Sequence, residues 1–113
     1  MGHRAHVIKP GSTDEYTDAD FFNRRIYEIL TLFHNHNVKF EIKYFKYNRD
    51  VWTIKDTELN KLIATLEESP DEIDECFFED MDLAHTNREL AGTFRYWVNH
   101  ADKETGLIRI EWS

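Results

Sequence analysis

Residues 38–55 read VKFEIKYFKYNRDVWTIK, and within them the spacing of apolar side chains is that of a strand. Val38, Phe40, Ile42 and Tyr44 alternate with Lys39, Glu41, Lys43 and Phe45, the period of two that a half-buried strand requires. Asn48-Arg49-Asp50 supplies turn residues, and residues 51–55 (VWTIK) return as the second arm of a hairpin. The residues just before have a different period. Phe22, Ile26, Ile29 or Leu30, and Phe33 recur every three or four positions, a core-facing helical stripe. Thr17 with Asp20 three positions on forms a capping-box start, and Asn35 and Asn37 favour a stop near His36. A helix followed by a hairpin places the chain among folds that mix both elements.

Working outward, residues 3–9 (HRAHVIK) read as a first strand ended by Pro10-Gly11. Asp56 opens a helix through Leu59, Leu62, Ile63 and Leu66. Ser69-Pro70-Asp71-Glu72 then offers a capping Ser, Pro at the first helical position and an acid at the third, which predicts a helix over 70–81. A strand over 75–83 is the competing reading, since Phe77, Met81 and Leu83 would share one face. Thr86 or Asn87 caps a further helix carrying Leu90, Phe94, Trp97, Val98 and Ala101, weakened at Gly92 by ~1 kcal/mol relative to Ala. Glu104-Thr105-Gly106 turns the chain into a last strand, residues 107–112 (LIRIEW). The order β-α-β-β-α-α-α-β predicts an α+β two-layer sandwich, with a roughly four-stranded sheet packed against three to four helices. Its first β-α-β unit would be a right-handed crossover if the two strands were parallel neighbours.

The 113 residues suit one compact domain spanning 1–113, with 41% hydrophobic and 14% aromatic residues to build its core. Residues 1–61 hold ten Lys/Arg against nine Asp/Glu, and residues 62–113 hold four against thirteen. The net charge of −8 therefore sits in the second half. A field of that sign repels nucleic acid and anionic membrane and attracts basic protein surfaces. One cysteine, Cys76, forms no internal disulfide and suits a reducing cytoplasm. No apolar run approaches the roughly 18 residues of a membrane span.

Between Leu62 and Asn87 there is no Lys or Arg. Glu67, Glu68, Asp71, Glu72, Asp74, Glu75, Glu79, Asp80 and Asp82 are threaded with Ile73, Cys76, Phe77, Phe78, Met81 and Leu83. On a helix, Asp71, Glu72, Glu75, Glu79 and Asp82 would fall within an arc of about 100°, with Phe78 at the edge of the apolar side. Like charges at i,i+4 (Glu68/Glu72, Asp71/Glu75, Glu75/Glu79) repel, so this ridge is not what stability alone would favour. The residues expected to contact a basic protein are Glu68, Asp71, Glu72, Glu75, Phe78, Glu79 and Asp82. The other interpretation of the ridge is a solvated face that keeps the protein soluble.

The hairpin has the opposite character. Lys39, Lys43 and Lys46 beside Tyr47 and Trp52 are the residue types that hold single-stranded nucleic acid by phosphate contact and stacking, the alternative site. The overall charge opposes it. His3/His6 and His34/His36 are close pairs, but i and i+2 on a helix point about 200° apart. No HExxH, no second cysteine and no complete EF-hand loop is present, so no metal or cofactor is expected. Carboxylates around Cys76 push its thiol pKa upward, against a nucleophilic role. With no nucleophile elbow, P-loop or GxGxxG, the expectation is a non-enzymatic, cytoplasmic protein that binds a basic partner, with a homodimer also open; a nucleic-acid-binding hairpin is the alternative and a metal-dependent hydrolase built on His and Asp/Glu the third reading. Phage anti-defence inhibitors of nucleic-acid-handling enzymes, some of them nucleic-acid mimics, and antitoxin or immunity proteins share this character, an analogy only.

Overall fold

The computed structural model describes residues 5–8, 25–45 and 49–112. Four strands form one antiparallel sheet: β1 (Ala5–Val7), β2 (Phe40–Phe45), β3 (Arg49–Lys55) and β4 (Leu107–Trp112), in the spatial order β1-β4-β3-β2. Three helices, α1 (Ile26–Asn35), α2 (Asp56–Glu67) and α3 (Asn87–Val98), accompany it, giving the α+β architecture expected. Between α2 and α3 the chain makes only two 3-10 turns, Glu75–Phe77 and Met81–Leu83. β1 lies beside β4 and not β2, so the first β-α-β unit is no parallel crossover.

Register decides which face is buried. Phe40 stands opposite Ile54, Ile42 opposite Trp52, Trp52 opposite Ile110, and Val7 opposite Ile110. Because strand side chains alternate, these residues share the face that packs on the helices, together with Ala5, Ile108 and Trp112. Ile29, Leu32 and Phe33 of α1, Leu59, Leu62, Ile63 and Leu66 of α2, and Leu90, Phe94 and Trp97 of α3 meet them there. Trp52 lies 5.0 Å from Trp112, 5.2 Å from Phe40 and 5.7 Å from Phe33 between ring centroids, the tilted separations aromatic pairs favour. Neither the Trp52 nor the Trp112 indole N–H meets an acceptor among the described residues, so packing and not hydrogen bonding holds the pair.

The helix ends are mostly local chemistry. Thr86 accepts from the Glu89 N–H while Glu89 accepts from the Thr86 N–H, the reciprocal capping box at the start of α3. Asn37 (φ 57°) takes the left-handed conformation that ends α1, and the Val38 N–H returns to the Phe33 carbonyl at 2.9 Å. The Thr17 start of this helix, and the Asn48 turn residue of the hairpin, lie outside the described residues. α2 differs in detail: Asp56 is its first residue and not its cap, and the Asp56 N–H donates to the Gly106 carbonyl at 2.8 Å.

That bond ties α2 to the turn before β4, and only glycine serves there. Gly106 has φ +72°, and a Cβ on it would stand 2.8 Å from Asp56 Oδ1. Gly92, in α3, has nothing within 4 Å of an added Cβ. Gly106→Ala should therefore lower unfolding free energy by ~1–2 kcal/mol, whereas Gly92→Ala should raise it by up to ~1 kcal/mol. Urea denaturation of the two variants beside wild type checks the opposite signs.

Candidate functional site

The acidic connection between α2 and α3 is where sequence and structure part. Residues 70–81 do not form the expected α-helix, and residues 75–83 do not form the competing strand; they hold the two 3-10 turns, and the one bridge nearby, Ile73 with Thr86, lies outside that span. The backbone groups a helix would use are engaged elsewhere. The carbonyls of Pro70 and Glu72 accept from the Arg88 and Asn87 N–H groups, each at 2.9 Å, and the Asn87 side-chain amide donates to the Ser69 carbonyl. Downstream, aspartates compete with helix formation by bonding their own backbone. Asp74 accepts from the Cys76 N–H at 3.0 Å and Asp80 from the Asp82 N–H at 3.2 Å, and each opens one 3-10 turn. The carboxylate ridge on a single helical arc is accordingly absent.

The loop is nonetheless anchored. Phe77 is fully buried in the core, with the His85 ring edge-on at 6.2 Å. Asp74 turns inward and meets His36 Nε2 at 2.8 Å, just past the end of α1. Burial alone would push the Asp74 carboxyl up, but the bonds from His36 and the Cys76 N–H outweigh it and hold it below the ordinary carboxylate range. Asn35 Nδ2 donates to Glu75 at 3.2 Å, and Arg25 Nε donates to the Leu83 carbonyl at 3.0 Å. Contacts from both ends of α1 thus hold the loop along that helix. Burial, then the Asp74 carboxylate, push the Cys76 thiol far above its usual range, which leaves it unreactive.

These anchors decide what faces solvent. Glu68, Glu72, Glu75 and Phe78 come together around one open depression of about 390 Å³, floored by Ile73 and Leu66. Phe78 is 63% exposed, and Met81, which sequence reasoning did not single out, is 55% exposed. Glu79 and Asp82 are exposed but do not line the depression. Asp71 is also outside it and faces Arg88 at 3.2 Å, while Glu67 pairs with Arg95. Among the described residues Glu68, Glu72, Glu79, Asp80 and Asp82 make no ion pair. Four of the seven expected contact residues therefore share one place, for a reason other than the helix that suggested them.

The alternative site is dispersed. Trp52 is fully buried and offers no stacking surface. Lys43 is exposed on the sheet face away from the helices, and Lys39 precedes β2, its N–H bonded to Glu58 Oε1 at 2.9 Å. Lys46 and Tyr47 lie outside the described residues. Of the histidine pairs, His36 is the partner of Asp74 and His34 is exposed, and no three His, Cys, Asp or Glu among the described residues are placed to hold a metal ion. No described helix is long and apolar enough to cross a membrane. No known family model, curated protein or solved structure matches the chain.

Asp74 gives the site a pH signature. A carboxyl whose folded pKa lies below its unfolded one stabilises above the unfolded value and loses that contribution as pH falls through the folded one. Asp74→Asn should cost ~1–3 kcal/mol at neutral pH, the penalty for weakening a partly buried charge-assisted bond. It should also flatten the loss of stability on acidification below about pH 4. Chemical denaturation of wild type and variant across acid and neutral pH measures both effects.

Proposed function

We propose that this is a non-enzymatic binding protein whose acidic depression, rimmed by Phe78, receives a basic side chain of a protein partner. The observation that carries the reading is the convergence of Glu68, Glu72 and Glu75 with a largely exposed phenylalanine around one concavity. Carboxylates that make no ion pair steer and orient a cationic partner, and an aromatic at the rim anchors what the charges have steered. The net charge of −8 extends the same field beyond contact range.

A basic surface of a nucleic-acid-handling enzyme is the kind of partner that fits. Inhibition or neutralisation of that enzyme in the cytoplasm, in the manner of an anti-defence, antitoxin or immunity protein, is the activity it would have. Imitation of the nucleic acid itself draws no support from the loop, because irregular 3-10 turns present no evenly spaced row of charge. Nucleic-acid binding by the hairpin loses one of its two stacking candidates with Trp52 inside the core.

Glu68→Lys with Glu72→Lys reverses two charges at the rim without touching a side-chain bond of the loop. Affinity capture from lysate should retain a basic protein on wild type, and the double variant should lose it by at least about tenfold. Phe78→Ala should weaken the same contact by a similar factor. Capture of the same proteins by all three forms would mean that the acidic face is only solvated.

A further inference from the structure

The edge of the sheet carries a separate feature. β2 is an edge strand, with β3 on one side and no strand on the other among the described residues. Glu41 and Lys43 project from its face away from the helices, both exposed, and stand opposite Thr53 and Val51 of β3. Neither charge is matched across the strand it pairs with, and neither makes an ion pair among the described residues. Natural edge strands are commonly short, bulged or covered, whereas this one is six residues long. Alongside it runs an open groove of about 620 Å³ lined by Leu30, Thr31 and His34 of α1 and by Val38 and Phe40. Tyr27, 73% exposed, lies one helical turn before Thr31 and extends the same stripe.

We propose that β2 is a homodimer interface. Two copies pair antiparallel through it about a two-fold axis that passes at Ile42, joining two four-stranded sheets into one of eight strands. The self-complementarity of the strand selects both the occupant and the register. An isologous antiparallel pair needs an axis normal to the sheet, which keeps both helical layers on the same side and opposes residues of like face. With the axis at Ile42, Glu41 of each copy opposes Lys43 of the other, and both pairs attract. With the axis at Glu41, that residue would oppose its own copy and Lys39 would oppose Lys43. With the axis at Lys43, two lysines would meet. Of the three registers whose axis falls at residues 41–43, near the middle of the strand, only the one at Ile42 has attractive charge pairs alone; an axis at Phe40, the first residue, would leave most of the strand unpaired. The Ile42 register also brings the two α1 stripes of Tyr27, Thr31 and His34 to the seam, where each helps to cover the groove of the other copy.

The test is sedimentation equilibrium of wild type, Glu41→Lys and Lys43→Glu, with circular dichroism as a check that these exposed changes leave the fold intact. Wild type should show a mass twice that of the chain at high concentration. Each single variant sets like charges opposite one another twice, and should weaken the dimer roughly tenfold or more. Mixing the two variants should restore a dimer of near wild-type affinity. In the mixed pair, one copy carries lysine at both positions and the other carries glutamate at both, so each cross-strand contact again joins opposite charges. A monomeric wild type would overturn the proposal. So would a dimer indifferent to both changes, or single-variant losses that mixing does not repair.

Discussion

The structure depends on the burial of Trp52. From the middle of β3 this indole touches Phe40 on β2, Trp112 on β4 and Phe33 on α1, so one side chain joins three strands and a helix. Its ring, fully buried, represents roughly 150–250 Å² removed from water, more than any aliphatic residue supplies. Register follows from it: a slip of one residue in β3 would turn Trp52 and Ile54 to solvent and bring Val51 and Thr53 inward. Phe94 and Trp97 continue the aromatic contact from Phe33 into α3. From the acidic loop the core takes one fully buried side chain, Phe77, with Ile73, Cys76 and Leu83 partly buried against it.

That partial insertion explains how the loop can be both fixed and irregular. Phe77 inserts into the core and Asp74 holds His36, while Glu68, Glu72 and Phe78 are left to serve the surface. The like-charge repulsion that disfavours a helix here is relieved when the chain spreads its carboxylates over turns. What results is a concavity with an aromatic rim, a shape suited to receiving a side chain more than to lying along a rod.

Much of the fold was legible because its signals are local. The alternation over residues 40–43, the stripe of α1 from Ile26 to Phe33 and the Thr86 cap of α3 each lie within a few residues, and each formed as read. Ser69-Pro70-Asp71-Glu72 carries an equally complete local signal and misled. The bonds that overruled it join residues 70 and 72 to 88 and 87, a pairing that depends on where α3 packs. The four aspartates at 71, 74, 80 and 82 were the available warning, since each favours turns over helix interiors. Trp52 illustrates the opposite failure: an aromatic among lysines resembles a nucleic-acid platform until its face of the strand is known. The pairing of His36 with Asp74 spans 38 residues and left no trace in the sequence.

The central claim is that the depression around Phe78, and not the basic hairpin, is the surface this protein uses. Amide chemical-shift mapping of the labelled protein during titration with an arginine-rich peptide tests it directly. The account predicts shifts concentrated at Glu68, Glu72, Glu75 and Phe78, saturable and suppressed by salt as exposed charge contacts are. Shifts spread evenly over all the carboxylates, or absent from these four residues, would contradict it.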